Sequence, residues 1–186
     1  MNQNELFEEQ VRKDLHQYLV MEGKVDEHFP DAPDIEEKWD EILKEYIPDG
    51  VREFNGYPTV SLGWIMYVGM AVAKLWDCDW AYYSTLPNLY THLRDKRGFD
   101  TMDEYIREEV LELTDTPTPA SALTPFAAVE KLVAECASRT YNRFCHAPFE
   151  NGTKESFNGY VSCLHQLYLM GAAMQLKEMG YKMTKI

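Results

Sequence analysis

Positive charge is scarce in this sequence of 186 residues. Lysine and arginine together number 18 against 31 aspartates and glutamates, which gives a formal net charge of −13 at pH 7. A surface this acidic repels the phosphate backbone of nucleic acids and the anionic headgroups of a membrane. We therefore expect neither a nucleic-acid partner nor a membrane partner. The acidity itself indicates little beyond solubility.

The sequence also lacks the short motifs that fix a chemistry. It contains no GxGxxG, GxxxxGK[ST], GxSxG or HExxH pattern, which removes the usual signatures of nucleotide binding, serine hydrolysis and zinc proteolysis. No Glu-x-x-His pair is present, so a helical bundle with a di-metal carboxylate centre finds no support either. We expect no metal and no cofactor, and the sequence leans away from an enzyme without deciding the question.

Paired cysteines are missing as well. The four cysteines show no CxxC spacing and no dense clustering, which is typical of reduced thiols in a cytosolic protein: Cys78, Cys136, Cys145 and Cys163. His146 follows Cys145, and His165 lies two residues after Cys163, so a zinc site or a Cys–His nucleophile would need both late helices to converge in space. Packing of the thiols in the core is the favoured interpretation.

Long hydrophobic runs are absent too. The N-terminus has no basic segment followed by an apolar stretch, so we expect no secretory signal and a cytoplasmic location. The uncharged run Leu62–Ala73 is the most apolar part of the chain, but it is shorter than the about 20 residues that a membrane span needs. It predicts a buried central helix over about residues 59–76.

Helical periodicity is present in most of the chain, whereas the strict alternation of a half-buried strand is not. The first helix is amphipathic, Pro33 opens a second helix, and Pro48, Gly50, Gly56 and Pro58 punctuate the chain that follows. Asp77 or Asp79 is expected to cap a further helix through Tyr82 to Arg97, kinked or restarted at Pro87. Thr101 with Glu104 has the pattern of a capping box. Thr153 is expected to cap the last helix, which ends at Gly180.

These patterns predict an all-α protein. We expect one domain over residues 1–186, built as a helical bundle of about six or seven helices around the central helix. A Thr/Pro-rich linker at about residues 114–125 divides the helices without marking a domain boundary.

Three polar residues late in the chain form the first candidate site. Arg139, Arg143 and His146 are spaced i, i+4 and i+7, which places them on one face of a helix. Guanidinium groups bind carboxylates and phosphates through a fork of two N–H donors, so this face predicts a site for a small anion. The alternative is that these side chains pair with the many acidic residues of neighbouring helices.

The second candidate site lies at the end of the central helix. Asp77 is next to Trp76 and three residues before Trp80, and a carboxylate desolvated by indole rings can act as a general acid or base. Alternatively, this aspartate or Asp79 caps the following helix. The surrounding aromatic residues, which include Trp64 and Tyr67, could line a pocket or simply fill the core.

The sequence supports two functions of different kinds. The first is a cytosolic helical protein that acts by protein–protein interaction or self-association, as a homodimer for example, with Tyr82 or Tyr83 as the interface candidate. The alternative is a binding protein or enzyme for a small anionic molecule. Its aromatic pocket between helices would combine the residues of both candidate sites: Arg139, Arg143, His146, Asp77, Trp76 and Trp80.

Overall fold

The structure, a computed structural model, describes residues 1–183. Over this range the chain forms eight α-helices and no strand beyond one isolated bridge between Thr118 and Ser121. A π-helical segment, Ile106–Val110, continues directly from the sixth helix. The helices are α1 (Gln3–Met21), α2 (Pro33–Glu37), α3 (Trp39–Gly56), α4 (Pro58–Tyr83), α5 (Leu89–Arg94), α6 (Met102–Tyr105), α7 (Pro125–Cys145) and α8 (Lys154–Glu178). The predicted all-α bundle around a buried central helix is confirmed.

Local sequence accounts for most helix starts. Asn2 begins α1 with a capping box, in which its side chain accepts from the Glu5 amide and the Glu5 carboxylate accepts from the Asn2 amide. Thr153 caps α8 as expected, because its hydroxyl accepts from the Ser156 amide at 3.1 Å. Pro33, as predicted, occupies the first turn of α2, where a missing N–H costs nothing.

Two predictions of local structure are wrong. Thr101 makes no capping bond to the first turn of α6, and its hydroxyl donates instead to the Arg97 carbonyl oxygen at 3.0 Å. Helix α3 is not broken at Pro48 or Gly50 but runs through both. A side chain at position 50 would collide with the Tyr160 hydroxyl and the Tyr46 ring, so the glycine there serves close packing rather than a turn.

The central helix is longer than predicted. It begins at Pro58 and reaches Tyr83, with a break in helical geometry at Asp79, whose side chain accepts from the Tyr82 amide at 3.3 Å. Asp79 therefore caps a last turn, as expected for one of the two aspartates. The further helix predicted from Tyr82 to Arg97 is reduced to the short α5, which Asn88 caps.

Helix α4 is long and apolar enough to cross a membrane, but most of its surface is covered by the rest of the protein. Within its most apolar 18-residue window, 72% is buried. Helices α3, α7 and α8 all pack against it, and α1 packs on α8 and α7. This burial agrees with the predicted core helix and explains why the segment is apolar on every side.

The backbones of α4 and α8 come into direct contact in the core. A Cβ atom at Gly69 would overlap the Tyr168 carbonyl oxygen, and a Cβ atom at Gly171 would overlap the Met66 carbonyl oxygen. Each glycine thus faces the backbone of the opposite helix. Only residues without a side chain allow two helices to approach so closely.

The chain between the π-helical segment and α7 is a loop, in agreement with the predicted linker at 114–125. Arg107 anchors its first end: the side chain is 1% exposed and donates to Glu130 on α7 at 2.7 Å and to Asp103 at 2.8 Å. Thr124 ends the loop and caps α7 through the Ala127 amide. The loop is therefore fixed at both ends against α7.

We expect Gly69→Ala and Gly171→Ala each to destabilise the protein by about 1–3 kcal/mol or more, because a methyl group at either position must push the α4 and α8 backbones apart. Urea denaturation measures the free energy of unfolding. Gly56→Ala is the matched control, since a Cβ atom there meets nothing within 4 Å, and it should change stability by less than about 0.5 kcal/mol. Equal effects of all three variants would contradict the close crossing.

Candidate functional site

The three polar residues predicted on one face of α7 do lie together. Arg139, Arg143 and His146 line a groove of about 370 Å3 between α7 and α1, which run antiparallel. We call this the arginine groove. Its other lining residues come from α1, from α7 and from the turn after α7: Phe7, Gln10, Asp14, Asn142, Ala147 and Pro148.

The predicted alternative, ion pairing with a neighbouring helix, also holds in this groove. Both guanidinium groups lie 3.5 Å from the same oxygen, Oδ1 of Asp14. Arg139 also approaches Glu135 at 3.3 Å and stacks over the Tyr18 ring at 4.4 Å. Nδ1 of His146 lies 2.8 Å from the Asn142 carbonyl oxygen, and this contact fixes the ring. Nε2 takes no part in it.

The other predicted site residues lie elsewhere. Trp76 donates from Nε1 to Asp34 at 3.0 Å and lines a separate pocket of about 170 Å3. Trp80 faces the Lys38 ammonium group at 6.0 Å. Neither tryptophan lines the arginine groove, so the structure does not form the single pocket in which all six residues were combined.

The prediction that the neighbouring tryptophans desolvate Asp77 is wrong. Its side chain is exposed at the end of α4 and accepts a hydrogen bond from the Tyr181 hydroxyl. Trp64 and Tyr67, which could have lined a pocket, belong to the core. Tyr67 is buried, and Trp64 donates from Nε1 to the Phe99 carbonyl oxygen at 2.8 Å. An exposed carboxylate hydrogen-bonded to a phenol has no reason to act as a buried acid or base.

The cysteine and histidine residues do not converge. Cys136 and Cys163 are buried, whereas Cys78 and Cys145 are exposed. Burial raises the pKa of the Cys136 thiol to about 12, which keeps it protonated and unreactive. Among residues 1–183, no group of three histidine, cysteine, aspartate or glutamate side chains is placed to hold a metal ion.

His165 instead joins three helices. Its Nε2 lies 2.8 Å from Glu36 on α2 and its Nδ1 lies 3.3 Å from Glu8 on α1, while the ring stacks on Trp39 at 5.1 Å. Burial by itself lowers the pKa of this imidazole, but the hydrogen bonds to the two carboxylates outweigh it and raise the pKa to about 9. The ring is therefore a cation at neutral pH and ties α1 and α2 to α8.

A second cavity was not predicted from the sequence. It is a cleft of about 570 Å3 at the junction of α1, α7 and α8, and we call it the α1–α7–α8 cleft. Its lining residues come from these three helices, from α4 and from two loops: Tyr18, Glu22, Gly23, Lys24, Met70, Leu113, Leu123, Pro125, Ala128, Val129, Lys131, Leu132, Met174, Gln175, Lys177 and Glu178.

The lining of this cleft combines an apolar floor with a charged rim. Met70, Leu132 and Met174 are buried residues from three different helices. The charged lining residues are three lysines and two glutamates, a balance that differs from the excess of acid in the whole chain: Lys24, Lys131, Lys177, Glu22 and Glu178. Lys177 is held 3.5 Å from Asp26, whereas the described residues give Lys24 and Lys131 no ion pair.

Gln175 is the unusual residue of the cleft. It is 92% buried, lies on the cleft wall, and forms no side-chain hydrogen bond to any residue within 1–183. Gln166, on the same helix and equally buried, donates to Glu8 at 2.8 Å. The Gln175 amide is not a buried unpaired group, since Arg139 Nε is the one such side-chain atom among residues 1–183, so the amide can contact a group bound at the cleft wall.

A weak sequence signal for this site existed. Gln175 interrupts an otherwise apolar stretch, MGAAMQL, near the end of the last predicted helix. The convergence of the C-terminal end of α1, the start of α7 and the end of α8 depends on tertiary packing, which periodicity does not report.

No protein-family model, no curated protein and no solved structure matches the chain. Function is therefore inferred from the chain's own residues and their geometry.

We expect Gln175→Leu to change stability by less than about 0.5 kcal/mol, because the side chain makes no hydrogen bond within residues 1–183 that the substitution would break. Gln166→Leu is the matched control on the same helix. It should lower the free energy of unfolding by about 1–3 kcal/mol, since Glu8 loses a hydrogen bond. Urea denaturation compares them, and a larger loss for Gln175→Leu would mean that its amide is satisfied inside the protein.

The raised pKa of His165 predicts a pH dependence of stability. The folded protein holds this proton more tightly than the unfolded chain does. The stabilisation is therefore complete below the ordinary histidine value of 6.5 and is lost as the pH rises to about 9. We expect up to about 2–3 kcal/mol to disappear between about pH 6 and pH 9.5.

Urea denaturation of His165→Gln at about pH 6 and about pH 9.5 tests this expectation by measuring the free energy of unfolding at each pH. The variant should lose most of the pH dependence, while His92→Gln, a histidine elsewhere in the chain, should retain it. A wild-type profile that His165→Gln leaves unchanged would contradict the three-helix ion pair.

Proposed function

We propose that this protein binds a small, largely apolar molecule with one acidic or hydrogen-bonding head group, in the α1–α7–α8 cleft. The observation that carries the proposal is the cleft of about 570 Å3 with an apolar floor, whose wall holds Gln175, a side chain that makes no hydrogen bond within residues 1–183. The proposed role is binding rather than catalysis, because the described lining brings no histidine and no cysteine into the cleft.

The size of the cleft supports a small-molecule ligand. Its volume of about 570 Å3 falls within the range of roughly 300–1,000 Å3 that ligand pockets occupy. The walls come from packed helices, so the cavity exists before a ligand binds, and little ordering is required on binding.

The floor supports an apolar ligand body. Met70 and Met174 have flexible, polarizable side chains that adapt to different ligand shapes, and Leu132 completes the surface between them. Burial of ligand carbon against this floor contributes roughly 25 cal/mol for each Å2 removed from water.

The polar residues support a head group. The Gln175 amide offers two N–H donors and one acceptor, and a carboxylate beside it would also lie near the lysines of the rim. Since the lining contains three lysines and two glutamates, an acidic head group is favoured over a basic one.

Protein–protein interaction or self-association stays a prediction. Tyr82, the interface candidate, is 53% exposed, in agreement with the expectation that one of the two adjacent tyrosines would be accessible. The large exposed apolar residues are, however, distributed over several helices and loops, among them Leu6, Met21, Val51, Tyr57, Leu123 and Phe157. Scattered residues of this kind are normal on a monomer surface, so the cleft is the better-supported site.

A dye titration tests the proposal. Anilinonaphthalene sulfonate, an apolar fluorophore with one acidic group, should bind the folded wild-type protein saturably. Ala128→Trp adds a large ring to the cleft lining and should weaken dye binding by about tenfold or more, equivalent to about 1.4 kcal/mol.

Ala134→Trp is the matched control for this experiment. Ala134 is exposed on the same helix and is not part of the cleft lining, so its substitution should leave the dye affinity within about twofold. Octanoate should then displace the dye at lower concentration than octylamine does. Non-saturable dye binding, or equal binding by both variants, would rule the cleft out as the ligand site.

A further inference from the structure

We propose that the arginine groove is a second, separate binding site that takes an oxyanion, a phosphate or carboxylate group of a small molecule. It goes beyond the proposed function because it lies in a different cavity. None of the residues that line the α1–α7–α8 cleft lines the groove.

The first argument is the unused donor capacity of Arg143. A guanidinium group carries five N–H donors. Within residues 1–183 the side chain of Arg143 makes one hydrogen bond, to Oδ1 of Asp14 at 3.5 Å, which is at the outer limit for such a bond. The side chain is 42% exposed, so its remaining donors are accessible from the groove.

The second argument is that Arg139 is also incompletely satisfied. Its Nε is buried and forms no hydrogen bond of acceptable geometry, although Glu135 Oε1 lies 3.3 Å away. Its Nη1 reaches the same Asp14 oxygen as Arg143, again at 3.5 Å. Two cations therefore share one carboxylate oxygen, and neither makes the short bidentate contact that arginine forms with a well-placed oxyanion.

The third argument is local charge. The groove lining contains two arginines and a single acidic residue, Asp14, in a chain whose formal net charge is −13. The C-terminal end of α7 carries partial negative charge, which opposes an anion. Both arginines line the groove and carry full charges, which outweigh the partial charge of the helix end.

The donors around the two arginines fit an oxyanion rather than a halide. Asn142 and Gln10 offer side-chain amide groups, and the His146 ring is held at the rim by its contact with the Asn142 carbonyl oxygen. A phosphate or carboxylate group presents several oxygens to such a set, whereas chloride presents one spherical surface.

Asp14 gives the proposal a test with an unusual sign. If the groove binds an oxyanion, Asp14 competes with it for both guanidinium groups, so Asp14→Asn should tighten binding, by at least about threefold. Arg143→Gln should weaken binding by about tenfold or more. A purely structural ion pair predicts no ligand effect from either substitution.

The experiment is calorimetric titration of inorganic phosphate and of acetate into the protein of residues 1–186, with sodium chloride at matched ionic strength as the reference. We expect saturable binding of at least one oxyanion and none of chloride, and the phosphate and acetate arms identify the preferred group. Arg97→Gln is the control variant. It removes a cation that pairs with Glu108 and Glu109 and does not line the groove, so it should leave the oxyanion affinity unchanged.

Ala128→Trp, the variant that fills the cleft, should also bind the oxyanion normally, which separates failure of this proposal from failure of the proposed function. Absence of saturable binding would overturn the site. Binding that Arg143→Gln and Asp14→Asn both leave unchanged would also overturn it. If Arg143→Gln does not fold, the gain in affinity expected for Asp14→Asn decides the outcome.

Discussion

The close approach of α4 and α8 is the contact on which the rest of the fold depends. At Gly69 and Gly171 each helix places its backbone where the other helix would otherwise have a side chain. This crossing buries the most apolar helix of the chain against the longest helix that follows the loop. Helices α3 and α7 cover α4, and helix α1 covers α8. The positions of these three helices therefore depend on the α4–α8 pair.

The same crossing explains where the cleft forms. Met70 follows Gly69 directly, and Met174 lies one turn after Gly171, so both floor residues project from the region in which the two backbones are in contact. Helix α1 packs mainly on α8, and helix α7 packs mainly on α4. This arrangement leaves space between α1 and α7 beside the two methionines. The chain contributes two flexible methionines and the Gln175 amide, which makes no hydrogen bond within residues 1–183, to the lining of that space.

Sequence patterns predicted those parts of the fold that depend on neighbouring residues. The all-α class, the central helix, the caps at Thr153 and Asp79 and the loop before α7 all follow from local chemistry. Pro48 was misjudged because tertiary packing around Gly50 outweighs the lost hydrogen bond of a proline within a helix. The length of α4 was underestimated because the helix continues past the charged Asp77 and, after the break at Asp79, forms one more turn.

The candidate sites show the same division. Arg139, Arg143 and His146 were predicted on one helical face, and they do share a groove, because i, i+4 and i+7 spacing is a local property. Their expected union with Trp76, Trp80 and Asp77 required knowledge of which helix ends meet, and the structure places those residues at a different pocket or on the surface. The place of Gln175 on the cleft wall was hidden for the same reason, since the surroundings of a side chain are visible only in three dimensions.

Native-state hydrogen exchange of the backbone amides tests the central crossing most directly. If the contact between α4 and α8 holds the fold together, amides around Gly69 and Gly171 exchange only through global unfolding and are the slowest in the protein. Amides of α2 and α5, which are short and peripheral, then exchange through local opening at lower free energy. Exchange around Gly69 as fast as in α5 would contradict the account.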